Sequence, residues 1–139
     1  MTPITYPARI EEVEPGEFLV TFTDVPEALT SGATYAEAIG EAADALAVAM
    51  EGYILEGREA PRPRPIEAGE VEIGLSPAIA ARFLLVSAMR DQALSKVALA
   101  ELMHRDEKVV RRILSGKNAS LDLTLEALGA VGIRPTLAA

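Results

Sequence analysis

The residues able to do chemistry in this chain are few, and their types narrow what that chemistry can be. Asp24, Glu37, Glu41 and Asp44 are the carboxylates that a metal-dependent nuclease could recruit. Such a site needs three or more oxygens converging on one cation. Glu37 and Glu41 share one helix face, but it is the solvated face, and nothing in the spacing brings Asp24 to join them. His104 is the single histidine, and there is no cysteine. Paired-histidine acid–base chemistry, multi-histidine metal sites, zinc fingers, thiolate nucleophiles and disulfides are thereby excluded within one chain. What remains is a concentration of cations. Arg105, Lys108, Arg111, Arg112 and Lys117 stand against Asp106 and Glu107 within residues 104–118, a local net of +3. Those residue types bind phosphates rather than make or break bonds. The chain is expected to be no enzyme and to carry no cofactor or metal.

This basic cluster sits in an acidic molecule. Of the net charge of −8, all lies in residues 1–65, where four Lys/Arg oppose twelve Asp/Glu; residues 66–139 hold nine of each. An acidic half repels nucleic acid and attracts basic proteins, although such surfaces serve solubility equally well. The 139 residues suit one domain or two small ones, and with only six aromatics the core must be built from Ala, Leu, Val and Ile. The opening MTPITYPARIEEVEPG lacks the basic and apolar regions of a signal peptide. The most apolar run, 78–89, is broken by Arg82 and too short to span a bilayer. A cytoplasmic setting without membrane contact is the expectation.

The elements that must position these residues can be read from periodicity. Residues 4–13 and 17–23 are extended, with Phe18, Val20 and Phe22 on one face, and Glu14-Pro15-Gly16 joins them as a hairpin. A short third strand is expected near 29–31. Thr34 and Glu37 form a capping box that opens a helix to about Leu55, with Gly57 beyond its end. Its stripe is Ile39, Ala42, Ala43, Leu46, Ala49, Met50 and Tyr53, which reads as core packing. Ala60–Pro65 (APRPRP) cannot continue a helix, and Val71, Ile73 and Leu75 form a last strand returning to the sheet. The first domain is expected over 1–75 as a β-β-(β)-α-β unit.

Four short helices follow in a second domain, 76–139. Ser76-Pro77 starts the first, about 77–91, with Ile79, Phe83, Val86 and Met89 offered to the core. Ser95 caps the next through about Met103, with Val97, Ala98, Leu99 and Leu102 inward. His104–Glu107 is a turn, Asp106 caps a helix to Ser115, and Gly116 ends it. Ser120 caps the last, carrying Leu121, Leu125 and Leu128 to about Val131. The middle pair, Leu94–Gly116, has the form of a helix-turn-helix that holds DNA. Lys108, Arg111 and Arg112 lie on adjoining faces of the second helix, opposite Val110, Ile113 and Leu114. Arg105 and Lys117 flank its ends, and Asn118 lies in the following loop. Ser95 and Lys96 begin the preceding helix, where backbone N–H groups favour a phosphate. These eight residues are the expected DNA contacts; the competing reading is a solvated basic face.

Two resemblances overlay this reading. Residues Ser95–Pro135, with "RILSGK" and "LEALGAVGI", look like the Xre/Cro class of helix-turn-helix repressors. The departure is Met103-His104 in the turn, where that class usually has a glycine. The segment "YPARIEEVEPGEFLVTFTDVPEALTSGATYAEAIGEAADAL" resembles the HicB antitoxin family, with Phe22, Asp24, Pro26, Gly32, Thr34, Glu37 and Ala38 on the family's pattern. Thr23 and Glu27-Ala28 depart from it. The resemblance implies an α+β fold, with an N-terminal HicB-like, partial RNase H-like domain followed by an all-α DNA-binding one. It also implies an antitoxin that binds a small basic, mRNA-cleaving HicA-type toxin and represses its own operon as a homodimer joined through the C-terminal domain. It leaves room for a larger assembly with the toxin through the N-terminal sheet. Asp24, Val25, Pro26 and Glu27 are the toxin contacts it suggests. The rival function is a stand-alone transcription regulator whose N-terminal domain dimerises or senses a ligand.

Overall fold

The computed structural model describes residues 4–135. Its elements are β1 (Thr5–Glu14), β2 (Glu17–Thr21), β3 (Thr30–Gly32), α1 (Tyr35–Glu56), β4 (Val71–Gly74), α2 (Pro77–Asp91), α3 (Lys96–Met103), α4 (Glu107–Ser115) and α5 (Leu121–Ala130). The fold is α+β. One compact unit comprises residues 4–53 and 60–76, the other 54–59 and 77–135.

In the first unit the four strands form an antiparallel sheet in the order β3-β2-β1-β4. Strand β1 is long enough to divide its pairing: Thr5–Ala8 face β4, while Arg9–Glu14 face β2. Pro7 falls in the half that β2 does not reach, so its missing N–H removes no bond from the hairpin ladder. The register shifts between Glu12 and Glu14. Val13, at that irregularity, is half exposed. Gly16, at φ 80°, supplies the left-handed turn residue that Pro15 cannot. Alternation puts Tyr6, Ala8, Val20 and Ile73 into the core, where α1 adds Ala38, Ala42, Leu46 and Met50. Thr34 Oγ1 accepts the Glu37 N–H at 3.1 Å and so caps the helix start as its sequence requires.

The second unit is a helical cluster around Leu85, Leu99, Val110, Ile113, Ala127 and Leu128, all buried. The inward register of two helices differs in part from expectation. On α2 Phe83 and Met89 are buried as expected, joined by Ala81, Leu85 and Ala88, while Ile79 and Val86 are only half buried. On α3 the core residues are Leu99, Ala100 and Met103, while Val97 and Leu102 are each 50% exposed. Alanines let neighbouring helices approach closely, so bulkier residues one position away are left at the rim. Thr124, Ala127 and Leu128 are the buried positions of α5, and Leu121 and Leu125 face outward. Among the described residues no helix is long and apolar enough to cross a membrane.

Candidate functional site

Two regions carry the residues singled out above, one in each unit. In the helical unit the starts of α3, α4 and α5 are each closed by a side chain. Ser95 Oγ accepts the Ala98 N–H at 3.0 Å, Asp106 Oδ1 the Lys108 N–H at 2.8 Å, and Ser120 Oγ the Leu123 N–H at 3.1 Å. His104 closes α3 in a left-handed conformation, φ 56° and ψ 43°, with its N–H donating toward the Ala100 and Glu101 carbonyls. The turn is thus made without glycine, at the modest cost of a side chain at positive φ. Three residues, 104–106, separate α3 from α4.

Helix α4 is sharply two-faced. Val110 and Ile113 are buried, and Lys108, Arg111, Arg112 and Ser115 lie on the opposite side by helical spacing. The cations there are not equivalent. Arg111 Nη2 donates to Glu107 Oε1 at 3.0 Å, one turn back along the helix. Arg105 makes a two-pronged pair with Glu126 of α5, at 2.6 and 2.9 Å. That pairing holds the Glu126 carboxyl below the usual carboxylate range and raises Arg105. Among the described residues Lys96, Lys108, Arg112 and Lys117 form no ion pair. They are cations whose charge no carboxylate of the described residues offsets. Asn118 sits at φ 54° in the turn after α4, and the Lys117 N–H donates to Ser115 Oγ.

The loop 24–27 in the sheet unit is tied down rather than presented whole. Asp24 Oδ2 accepts from Arg64 Nε at 2.8 Å, and Arg64 also pairs with both oxygens of Glu70, at 3.0 and 2.9 Å. Glu70 is buried and takes a further N–H from Glu67. Val25 is buried, its carbonyl accepts the Ala28 N–H, and Glu27 Oε1 accepts the Tyr53 hydroxyl at 3.0 Å. Pro26 and the rest of Glu27 face solvent. The Tyr6 hydroxyl donates to the Pro61 carbonyl at 2.6 Å, and burial raises its pKa. Arg64 and Tyr6 together anchor the proline-rich stretch 60–65. Glu37, Glu41 and Asp44 remain on the outer face of α1, and the described residues contain no group of three His, Cys, Asp or Glu able to hold a metal ion.

The Arg64–Glu70 pair has a pH signature. Hydrogen bonds from Arg64, and then from the Glu67 N–H, lower the Glu70 carboxyl from 4.5 to about 2. Its contribution to stability is complete above the unfolded value and is lost as pH falls from there through about 2. Glu70→Gln should therefore melt below the parent chain at neutral pH, with the gap closing as the pH approaches 2. A gap that stays constant across that window, measured by thermal melts in a pH series, would remove Glu70 from this role.

Sequence reasoning did not find Arg64, Glu70, Glu126 or Arg82. The first three act through partners 6 to 40 residues away, a separation no local pattern encodes. Arg82 did carry a signal, as the one charge inside the apolar run of α2.

Comparison with known proteins places the chain. A family model described as HicB_like antitoxin of bacterial toxin-antitoxin system matches residues 5–83. "Antitoxin HicB 1" of Photorhabdus laumondii subsp. laumondii is 35% identical over 133 residues, covering 95% of this chain and 84% of that protein. "Antitoxin HicB 2" of the same organism is 37% identical over 128 residues, 91% and 90% of the two chains. "Antitoxin HicB" of Escherichia coli K12 is 30% identical over 128 residues, 89% and 93%. The family is one of antitoxins and is non-enzymatic. The sheet unit and the relatives that span nearly the full chain lead to one conclusion: this protein belongs to the HicB-like antitoxin family.

Proposed function

We propose that this antitoxin has two binding functions, divided between its two units. The acidic sheet unit binds and neutralises a small basic, mRNA-cleaving toxin of HicA type. The helical unit binds operator DNA through α3 and α4 as a helix-turn-helix and represses the operon that encodes both proteins. The observation that carries the second half is the surface of α4. Lys108 and Arg112 project from the side opposite the Val110 and Ile113 core without a carboxylate to neutralise them. Lys117 extends that surface past the helix end, and Lys96 adds a charge at the start of α3, beside backbone N–H groups suited to a phosphate. Ser95, Arg105, Arg111 and Asn118 complete the proposed contact set, Arg105 and Arg111 only after release from their carboxylates. The first half is supported by the charge division: residues 1–65, with a net charge of −8, suit a basic protein, while the local +3 of residues 104–118 suits a polyanion. Asp24–Glu27 enters the toxin interface through Pro26 and Glu27, with Asp24 and Val25 shaping the loop from within.

Homodimerisation through the helical unit is part of this reading, because paired recognition helices one DNA turn apart read a two-fold operator. So is a cytoplasmic setting, where operator DNA and mRNA are found. The test is co-expression of the tagged chain with the open reading frames flanking its gene. A small basic protein should co-purify and lose its RNA-cleaving activity in the complex. Recovery of the chain alone, still bound to its own promoter duplex, would favour a stand-alone regulator.

A further inference from the structure

Arg82 is a buried guanidinium on a helix whose other buried residues, Ala81, Phe83, Leu85, Ala88 and Met89, are all apolar. It lies on α2, 6% exposed, between Ala81 and Phe83. Its Nη2 donates to the Leu114 carbonyl, in the last turn of α4, at 2.7 Å. The guanidinium also lies against Gly116. A Cβ built on that glycine would stand 2.5 Å from Nη1 and 2.8 Å from Cζ of Arg82. Gly116 is at φ 72°, and its N–H donates to the Arg112 and Ile113 carbonyls.

These contacts converge on one place, the end of α4. A helix leaves its last four carbonyls without intrahelical partners. Here Gly116 satisfies two, and Arg82 takes that of Leu114 from outside the helix. A cation is also favoured at a helix C-terminus, where the backbone dipoles leave partial negative charge. Burying a charge is costly even when it is paired, and here the cost is offset by the Leu114 carbonyl that the guanidinium satisfies. The residues fixed by this arrangement are the surface cations. Arg112 stands one turn before the capped end, and Lys117 follows Gly116 directly, entering a turn whose next residue, Asn118, is also left-handed.

We propose that Arg82 is a positioning residue for DNA binding, acting through Leu114 and Gly116 to fix where Arg112 and Lys117 meet the phosphates. This rests on the reading of α3–α4 as a DNA-binding element. Arg82 itself, being buried, touches no DNA. A planar guanidinium can lie against Gly116 while donating to the Leu114 carbonyl, a task that a lysine ammonium performs only in part.

The experiment uses the full chain and a fluorescent duplex spanning its own promoter, titrated at several salt concentrations, with thermal melts of each variant. Arg82→Met should still melt cooperatively, somewhat below the parent temperature because the Leu114 carbonyl loses its donor, and bind about tenfold more weakly. Its log–log salt slope should be shallower by about one phosphate contact, near 0.9. Gly116→Ala, which displaces the guanidinium while keeping its charge, should show the same loss. A folded Arg82→Met with unchanged affinity and slope would overturn the proposal. Should Arg82→Met fail to fold, Arg82→Lys decides: reduced affinity at a near-parental melting temperature supports the role, and parental affinity overturns it. Lys108→Glu/Arg112→Glu is the control. Parental binding by that double variant would overturn the DNA-binding reading itself, and the positioning role with it. Loss there, with Arg82→Met unaffected, removes only the positioning role.

Discussion

Replacing Lys108 and Arg112 together by glutamate should weaken binding to the promoter duplex by roughly a thousandfold near 0.1 M salt, and flatten its salt dependence by about two phosphate contacts. The size follows from reversal rather than removal: two attractive contacts become repulsive ones. The choice of these two follows from the ion pairs. Neither is paired among the described residues, so their full charge is available to a phosphate. Arg111 must first leave Glu107, and Arg105 must give up both bonds to Glu126. Single alanine substitutions should therefore rank Lys108 and Arg112 above Arg111, and Arg111 above Arg105. Removing Arg105 or Arg111 also frees a carboxylate to repel DNA, so Arg111→Ala/Glu107→Ala should bind better than Arg111→Ala alone. All these side chains are exposed, and each change should alter folding stability by no more than about 0.5 kcal/mol. Co-purification of the basic partner should be untouched by the double reversal. Partner capture lost together with DNA binding would refute the division of labour between the two units.

That ranking could not be read from the sequence, and the reason is physical. The helix spacing that places Lys108, Arg111 and Arg112 on one face is local, and so are the caps at Ser95, Asp106 and Ser120. Periodicity and capping chemistry therefore made every helix, and the hairpin, legible. Glu126 is 21 residues from Arg105, and only the fold brings them together. The inward faces of α2 and α3 agree with the periodicity at Phe83, Met89 and Leu99 and depart from it elsewhere, for a different reason. In an alanine-rich helix several faces are apolar, and the packing partners that the fold supplies, rather than hydrophobicity alone, select among them. Ala81, Ala88 and Ala100 are buried where Ile79, Val86, Val97 and Leu102 had the greater hydrophobicity. The loop 24–27 shows the same limit from the other side. Its acidic and apolar residues suggest an exposed recognition loop, but Val25 is needed by the core and Asp24 by Arg64, 40 residues on.

Gly32→Ala should be the most damaging single methyl added to the sheet unit, destabilising it by about 3 kcal/mol and lowering its melting temperature by roughly 10–20 °C. Gly32 lies at the end of β3, immediately before the chain turns into α1. An added Cβ would stand 2.5 Å from the Ala38 nitrogen, 2.9 Å from its Cα and 3.0 Å from the Glu37 carbonyl carbon. All three are backbone atoms of the helix's first turns, so no side chain can swing aside. Relief requires moving α1, whose residues Ala38, Ala42, Leu46 and Met50 are fully buried. Thr34→Ala, which removes only the hydroxyl that accepts the Glu37 N–H, should cost about 1 kcal/mol. The contrast assigns a meaning to the run Gly32-Ala33-Thr34 with Glu37 and Ala38. Gly32 permits the close crossing, Thr34 caps the helix, and Ala38 fills the space beneath. On this account the run builds the strand-to-helix corner, and Gly32→Ala loses partner binding only in proportion to unfolding. A Gly32→Ala chain that melts at the parental temperature yet no longer captures its basic partner would show instead that Gly32 belongs to the interface.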